Sequence, residues 1–306
     1  MNNTYLSGSN GFRLQNLRFM TTLIDIDNTF RSYQAIISFY TTYKNETFSN
    51  IHLEIKTFFS ANMSAALGAV LDLLISDFNS IHFDHISPGI ETILSKNEFL
   101  TYYGRNKLED YFGTTIKFQK IKPTDGRYFK NYVVSELFHN RSSDLPVMSA
   151  EVRHKIIEAI YEIFVNAQIH SETSSIYTCG QFFPNKNKIE FTIVDIGIGF
   201  RNKINRRFNA KLTAVQAIRW AIKDKKTTKE GITGGIGLPI LREFIYENDG
   251  KMQIISNEGF YQYSKKGEFY QVFRGSFPGT IVNLQIRTDD QKNYFLRNEV
   301  DIDDIF

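Results

Sequence analysis

The chain has 306 residues, 42% hydrophobic and 23% charged, the proportions of a globular protein with room for two modest domains. A formal net charge of only +3 excludes a chain-wide attraction to nucleic acid or membranes, so any such role needs a local patch. A single cysteine, Cys179, excludes an internal disulfide, and its strand-like setting in Ser175–Cys179 predicts a buried structural thiol. The polar N-terminus lacks a signal-peptide profile. The longest apolar run, Met63–Ile75, falls short of the about 20 residues a bilayer requires and contains Asp72. The expectation is a cytoplasmic protein with no membrane partner.

In chain order, Asn28 to Tyr43 reads as a helix and Ile51 to Phe59 alternates like a strand. Ser64 to Ser76 repeats Ala65, Leu67, Val70, Leu71 and Leu74 at helical spacing. Strand followed by helix predicts a small α/β domain over residues 1–140, and the pair loosely resembles STAS-type interaction domains. His52, His82 and His85 lack metal-site spacing. The polar string Asn140–Pro146 reads as a break. After it, Ser149 is placed to cap a helix reaching about Ile169, with Val152, Ile156, Ala159, Ile160, Ile163 and Ala167 as its apolar stripe. Ser175–Phe183 and Lys188–Val194 read as a hairpin around Pro184–Asn187. A basic stretch, 201–233, contains a helix-like segment over Thr213–Asp224. A helix over Pro239–Tyr246 and two or three strands within Lys251–Ile286 complete an α+β layered sandwich over 141–290. Residues 291–306 form a tail whose end, Asp301–Phe306, alternates acidic and apolar residues.

Three polar elements stand out within 141–290. Glu158, Glu162, Asn166 and His170 share one i, i+4 row of the long helix. On that row Asn166 offers a neutral oxygen suited to Mg²⁺, and Glu162 can orient or deprotonate a water. Taken alone the row reads more simply as a solvated helix face, for Glu162 and Asn166 as well as for Glu158. Next, Asp195-Ile196-Gly197-Ile198-Gly199 closes the apolar strand Phe191–Val194. An Asp at a buried strand end can accept a hydrogen bond from an exocyclic amine such as adenine N6, with glycines admitting backbone close to the ring. On spacing alone it is also an ordinary Asp-Gly turn. Third, Gly231–Leu238 runs into a helix, where free N–H groups favour phosphate oxygens.

Together these residues resemble the GHKL superfamily, the Bergerat-type ATPase fold shared by gyrase, histidine kinases, the large heat-shock chaperone and mismatch-repair ATPases. Glu162–Ala167 is similar to its N box, Asp195-x-Gly197-x-Gly199 to its G1 box and Gly235-x-Gly237-Leu238 to its G2 box. Gly279-Thr280 is similar to the element whose hydroxyl supports the adenine-binding Asp. The resemblance spans roughly Leu145 to Arg287 and implies a mixed, mostly antiparallel sheet with helices on one face. It further implies that Glu162 is catalytic and that Asn166 holds Mg²⁺. Asp195, Gly197, Gly199 and Thr280 would form the base pocket. Gly234, Gly235, Ile236, Gly237 and Leu238 would cradle phosphates, and residues 200–233 would form an ATP lid carrying Thr228 and Lys229.

ATP and Mg²⁺ are thus the expected ligands, and an ATPase regulating a protein partner is the expected function. Ile169, where kinases of this type often carry lysine, and the absence of a phosphoacceptor context at His139 or His154 weigh against a kinase. A serine kinase of the anti-sigma type and a non-hydrolysing, ATP-dependent interaction module remain as alternatives. The resemblance permits a homodimer without specifying one, and no nucleic-acid partner is indicated.

Overall fold

The computed structural model describes residues 20–170, 172–222 and 237–296. Its first layer is a parallel sheet of β1 (Met20–Ile26), β2 (Asn50–Phe59) and β3 (Ser80–Ile86), in the order β1-β2-β3. Parallel neighbours need crossovers, supplied by α1 (Phe30–Tyr43) and α2 (Ser64–Ser76). Because both crossovers step the same way across the sheet, right-handed connections put both helices on one face. The buried residues of β2, namely Ile51, Leu53, Ile55 and Phe59, point to that face. The α1 helix starts where the Thr29 side chain accepts from Ser32 N–H, which moves its beginning to Phe30. α3 (Pro88–Lys96) follows β3.

A second sheet of five strands has the order β4-β5-β6-β8-β7 and is antiparallel at every described pairing. Its strands are β4 (Thr115–Ile121), β5 (Ile176–Phe183), β6 (Lys188–Asp195), β7 (Lys251–Ser264) and β8 (Gly267–Arg287). The late strands expected as two or three pieces are one long hairpin, β7 and β8. One face carries Ile116, Ile176, Phe191, Ile193, Val282 and Leu284 beneath α4 (Gly126–Tyr132), α5 (Ala150–His170) and α8 (Gly237–Glu247). α6 (Gly199–Phe208) and α7 (Ala214–Ala221) lie between β6 and α8 in sequence.

The resemblance implies helices on one face only, yet here both faces are covered. Tyr177, Cys179, Val194, Ile255 and Ile281 point the other way and share a core with α1, α2 and the first sheet. The molecule is therefore layered sheet, helix, sheet, helix. This explains α2, whose buried residues run all round it from Ser64 to Leu71, since it is enclosed between two sheets.

The string Asn140–Pro146 lies inside this architecture. β4 precedes it yet pairs with β5, and the helical turns just before it bury Val133, Leu137 and Phe138 in the same core. Arg141 is buried, donating from Nη2 to Thr115 O at 2.7 Å with its guanidinium over Phe182. An arginine can bury its stem and flat head, so a polar string by composition becomes an anchor. Residues 297–306, including the acidic-apolar tail end, lie outside the described residues. No described helix is long and apolar enough to cross a membrane.

The seam between α2 and the second sheet is polar. Asn62 Nδ2 donates to Asn28 Oδ1 (2.7 Å), Thr192 Oγ1 (2.9 Å) and Asn283 Oδ1 (3.2 Å), and Ala61 N–H donates to Gln181 Oε1 (2.5 Å). Glu190, fully buried, accepts from Asn283 Nδ2 (2.8 Å) and Lys188 Nζ (2.7 Å). Cys179 sits beside this seam, buried as expected, its Sγ donating toward Asn62 O at 3.2 Å. Burial pushes its thiol up to about 12, which leaves it protonated and inert.

Candidate functional site

Asp195 ends β6, paired with Thr280 of β8 on one side and Ile176 of β5 on the other; Thr280 in turn pairs with Ser256 of β7. Side chains directly opposite share a face, so Ile176, Asp195, Thr280 and Ser256 form a row across four strands. The row lies on the face covered by α5 and α8, at one end of the sheet. β5 begins at that end shortly after α5 finishes, so the last turns of α5, with Glu162 and Asn166, approach it. β7 starts at the opposite end, where Lys251 pairs with Gln285, so α8 must run away from the row and Gly237 opens the helix on the row's side. Topology thus brings Asp195, Thr280, the last turns of α5 and the first residue of α8 towards one sheet end.

Asp195 is 7% exposed, and its Oδ1 is buried with no hydrogen-bond partner among the described residues. Burial pushes its carboxyl up to about 7, against the opposing pull of the Gly197 N–H and the Thr280 N–H and hydroxyl. A buried, unpartnered carboxylate oxygen is rare because its desolvation is uncompensated. Such an oxygen can accept a further hydrogen bond from a donor that reaches it.

Backbone geometry fixes the turn after Asp195. Gly279 has φ +148°, and a Cβ there would collide with Asp195 O and approach Gly197 N to 2.9 Å, so only glycine lets β8 pass beneath the Asp195 turn. Gly199 has φ +70°, and a Cβ there would lie 2.6 Å from Asn257 Oδ1. The turn is tied down from β7: Ser256 Oγ accepts from Phe200 N–H (2.9 Å), Asn257 Oδ1 accepts from Arg201 N–H (3.2 Å), and Asn257 Nδ2 donates to Ile198 O (3.3 Å). Thr173 Oγ1 accepts from Ile196 N–H at 3.2 Å. Ser256, Asn257 and Thr173 were missed in the sequence. Their roles are set by strand register and distant loops, and only the polar pair after an apolar strand offered a hint.

Glu162 and Asn166 are half-buried on α5, beside the buried Ile160, Phe164 and Ala167. Glu158, on the same row, is instead paired with Lys130 of α4, the surface role expected for it. The side chain of His170 is not described, and Ile169 is exposed. Of the residues expected to meet phosphate, Gly237 starts α8, whereas Thr228, Lys229, Gly234, Gly235 and Ile236 lie outside the described residues, as does the side chain of Leu238. Within the expected lid, 200–222 folds as α6 and α7. Thr213 and Gln216 make reciprocal capping bonds at the start of α7. No cluster of three or more His, Cys, Asp or Glu able to hold a metal occurs among the described residues. A cation here would depend on Asn166 and on oxygens brought by a ligand.

No protein-family model matches the chain, and no curated protein matches it.

Proposed function

We propose that this chain binds ATP with Mg²⁺ at the Asp195 end of the second sheet and hydrolyses it to regulate a protein partner. The observation that carries the reading is the buried Asp195 Oδ1, without a donor among the described residues, opposite Thr280 and above Gly279. An exocyclic amine of a purine supplies the missing donor, and glycines at 197 and 199 bring no side chain of their own against a flat ring. Asn166 is the residue that would hold Mg²⁺, which when bound would neutralise charge on the phosphates. Glu162, one turn earlier on α5, orients and deprotonates a water. The GHKL resemblance of the four sequence elements supports the same assignment.

Regulation follows from β6 and β8. These strands present Asp195 and Thr280 on one face, and on the other Thr192 and Asn283, held by Asn62 at the start of α2. A change in strand position on nucleotide binding reaches the first sheet through this seam.

Calorimetry of ATP and Mg²⁺ against the wild-type chain and Asp195→Asn tests the binding. Micromolar to millimolar affinity in the first and none in the second is expected; equal affinity in both removes Asp195 from the site. Phosphate release tests the chemistry, with Glu162→Ala expected to lower it about 10²-fold. An unchanged rate in that variant favours a non-hydrolysing module.

A further inference from the structure

The segment from Gly199 to Ile222 contains six cations, Arg201, Lys203, Arg206, Arg207, Lys211 and Arg219, and no carboxylate. Since the whole chain carries only +3, the remainder carries −3, and the positive charge is concentrated on α6, α7 and their connection. Within α6, Lys203, Arg206 and Arg207 stand at i, i+3 and i+4 and so share one stripe, with Arg206 and Arg207 exposed and Lys203 half-buried. Crowding is visible electrostatically: Lys203 is drawn down to about 8, chiefly by burial and next by the Arg207 charge, with Glu172 opposing. The bridge from Arg206 to Glu172 (3.3 Å) joins two mostly exposed side chains, a kind of contact a phosphate displaces at small cost.

The helix also ends in aromatics. Phe208 is 49% exposed, with its ring centroid 5.3 Å from that of Trp220 on α7 and the Arg207 guanidinium 5.8 Å from its centre. The connection between the helices is fixed: Asn205 donates from Nδ2 to Leu212 O (3.0 Å) and accepts at Oδ1 from Leu212 N–H (2.9 Å). Ala210 N–H donates to Asn205 O (3.2 Å), and Asn209 turns the chain at φ 46°. The ring pair is therefore held in place beside the basic stripe.

We infer that the α6–α7 surface binds a single-stranded nucleic acid, with Lys203, Arg206, Arg207 and Lys211 along its phosphodiesters and the Phe208–Trp220 pair stacking an unpaired base. Guanidinium forks match phosphate oxygens, and aromatic faces beside a cationic track are the sequence-tolerant way to hold unpaired bases. An acidic peptide would use the charge but leave the ring pair without a function. A duplex keeps its bases stacked and offers the rings nothing. The inference stands apart from the purine reading of Asp195.

Trp220 is the only tryptophan in the chain and reports directly on the site. The experiment is a titration of the full chain with a short oligothymidylate and its ribose counterpart oligouridylate, read by anisotropy of a labelled strand and by Trp220 emission. Expected are quenching of that emission and binding that weakens from 50 to 200 mM salt with a log–log slope of about −2 to −3, as for three to four phosphate contacts. Arg206→Glu with Arg207→Glu should weaken binding about tenfold or more. Phe208→Ala should reduce affinity and the change in Trp220 emission together, while Asp195→Asn should leave both intact. Oligothymidylate and polyglutamate binding alike without change in Trp220 emission would overturn the inference. So would an unchanged affinity in the Arg206/Arg207 variant with its melting temperature preserved, or loss of oligonucleotide binding in Asp195→Asn.

Discussion

Asp195 carries a cost in the free protein that the proposed ligand relieves. Its folded-state pKa of about 7 lies above the ordinary carboxyl value of 3.8, so the native state holds the proton more tightly than the unfolded chain. The sign follows: its contribution to stability is full below about pH 4, falls as pH rises towards 7, and is flat above. At pH 8 the penalty is on the order of 2–4 kcal/mol. Asp195→Asn, nearly isosteric and uncharged, should therefore melt a few degrees above wild type at about pH 8 and close to it at pH 4, while losing any upward shift with ATP. Scanning calorimetry at both values checks this, and a pH-independent difference between the two proteins would remove the titration from the account. Gly279 is the complementary case, because the collision is with backbone. Gly279→Ala should cost more than about 3 kcal/mol through strain and clash, seen as a lowered urea midpoint.

Among the elements, the seam at the start of α2 joins what the sequence presents as separate units. Asn62 is fully buried and serves Asn28, Thr192 and Asn283 at once, so truncating it strands several buried polar groups. Asn62→Ala should cost roughly 2–4 kcal/mol by chemical denaturation. Combined with Thr192→Val, the loss should be smaller than the sum of the single losses, since both remove the same network. Additive losses would mean the two side chains do not share one. The helical period of α2 was legible from Ala65, Leu67, Val70 and Leu71, but the partners of Asn62 come from about 130 and 220 residues away and leave no local pattern.

Across the whole molecule, α1 and α2 belong to both sheets. Their shared core includes Leu23, Ile51 and Leu67 from the first part and Tyr177, Val194 and Ile281 from the second. The full chain should accordingly unfold in one cooperative transition, with calorimetric and van't Hoff enthalpies equal. A fragment starting near Arg105 would expose the apolar face around Tyr177, Val194, Ile255 and Ile281, and should bind a hydrophobic dye and aggregate. Two resolved transitions, or a monomeric fragment with a native-like near-ultraviolet spectrum, would show that the halves are independent.

Composition and local pattern were sufficient for the α+β class, the long helix α5, the β5–β6 hairpin, the helix α2 and the strand end at Asp195, because each rests on periodicity or on a glycine-rich turn within a few residues. Gly279-Thr280 was singled out only through the resemblance to the GHKL superfamily. Strands β1, β3 and β4 escaped notice because they are seven residues each, with charged or polar outer faces that read as loop. Only the tertiary structure decided that β4 joins the second sheet across the polar string 140–146, and that both faces of that sheet are covered. It alone showed that Ser256, Asn257 and Thr173 hold the Asp195 turn. Strand order, facing layers and the pairing of buried polar groups depend on contacts between residues far apart in the chain. Such contacts are selected by the burial of whole faces, which no short window of residues expresses.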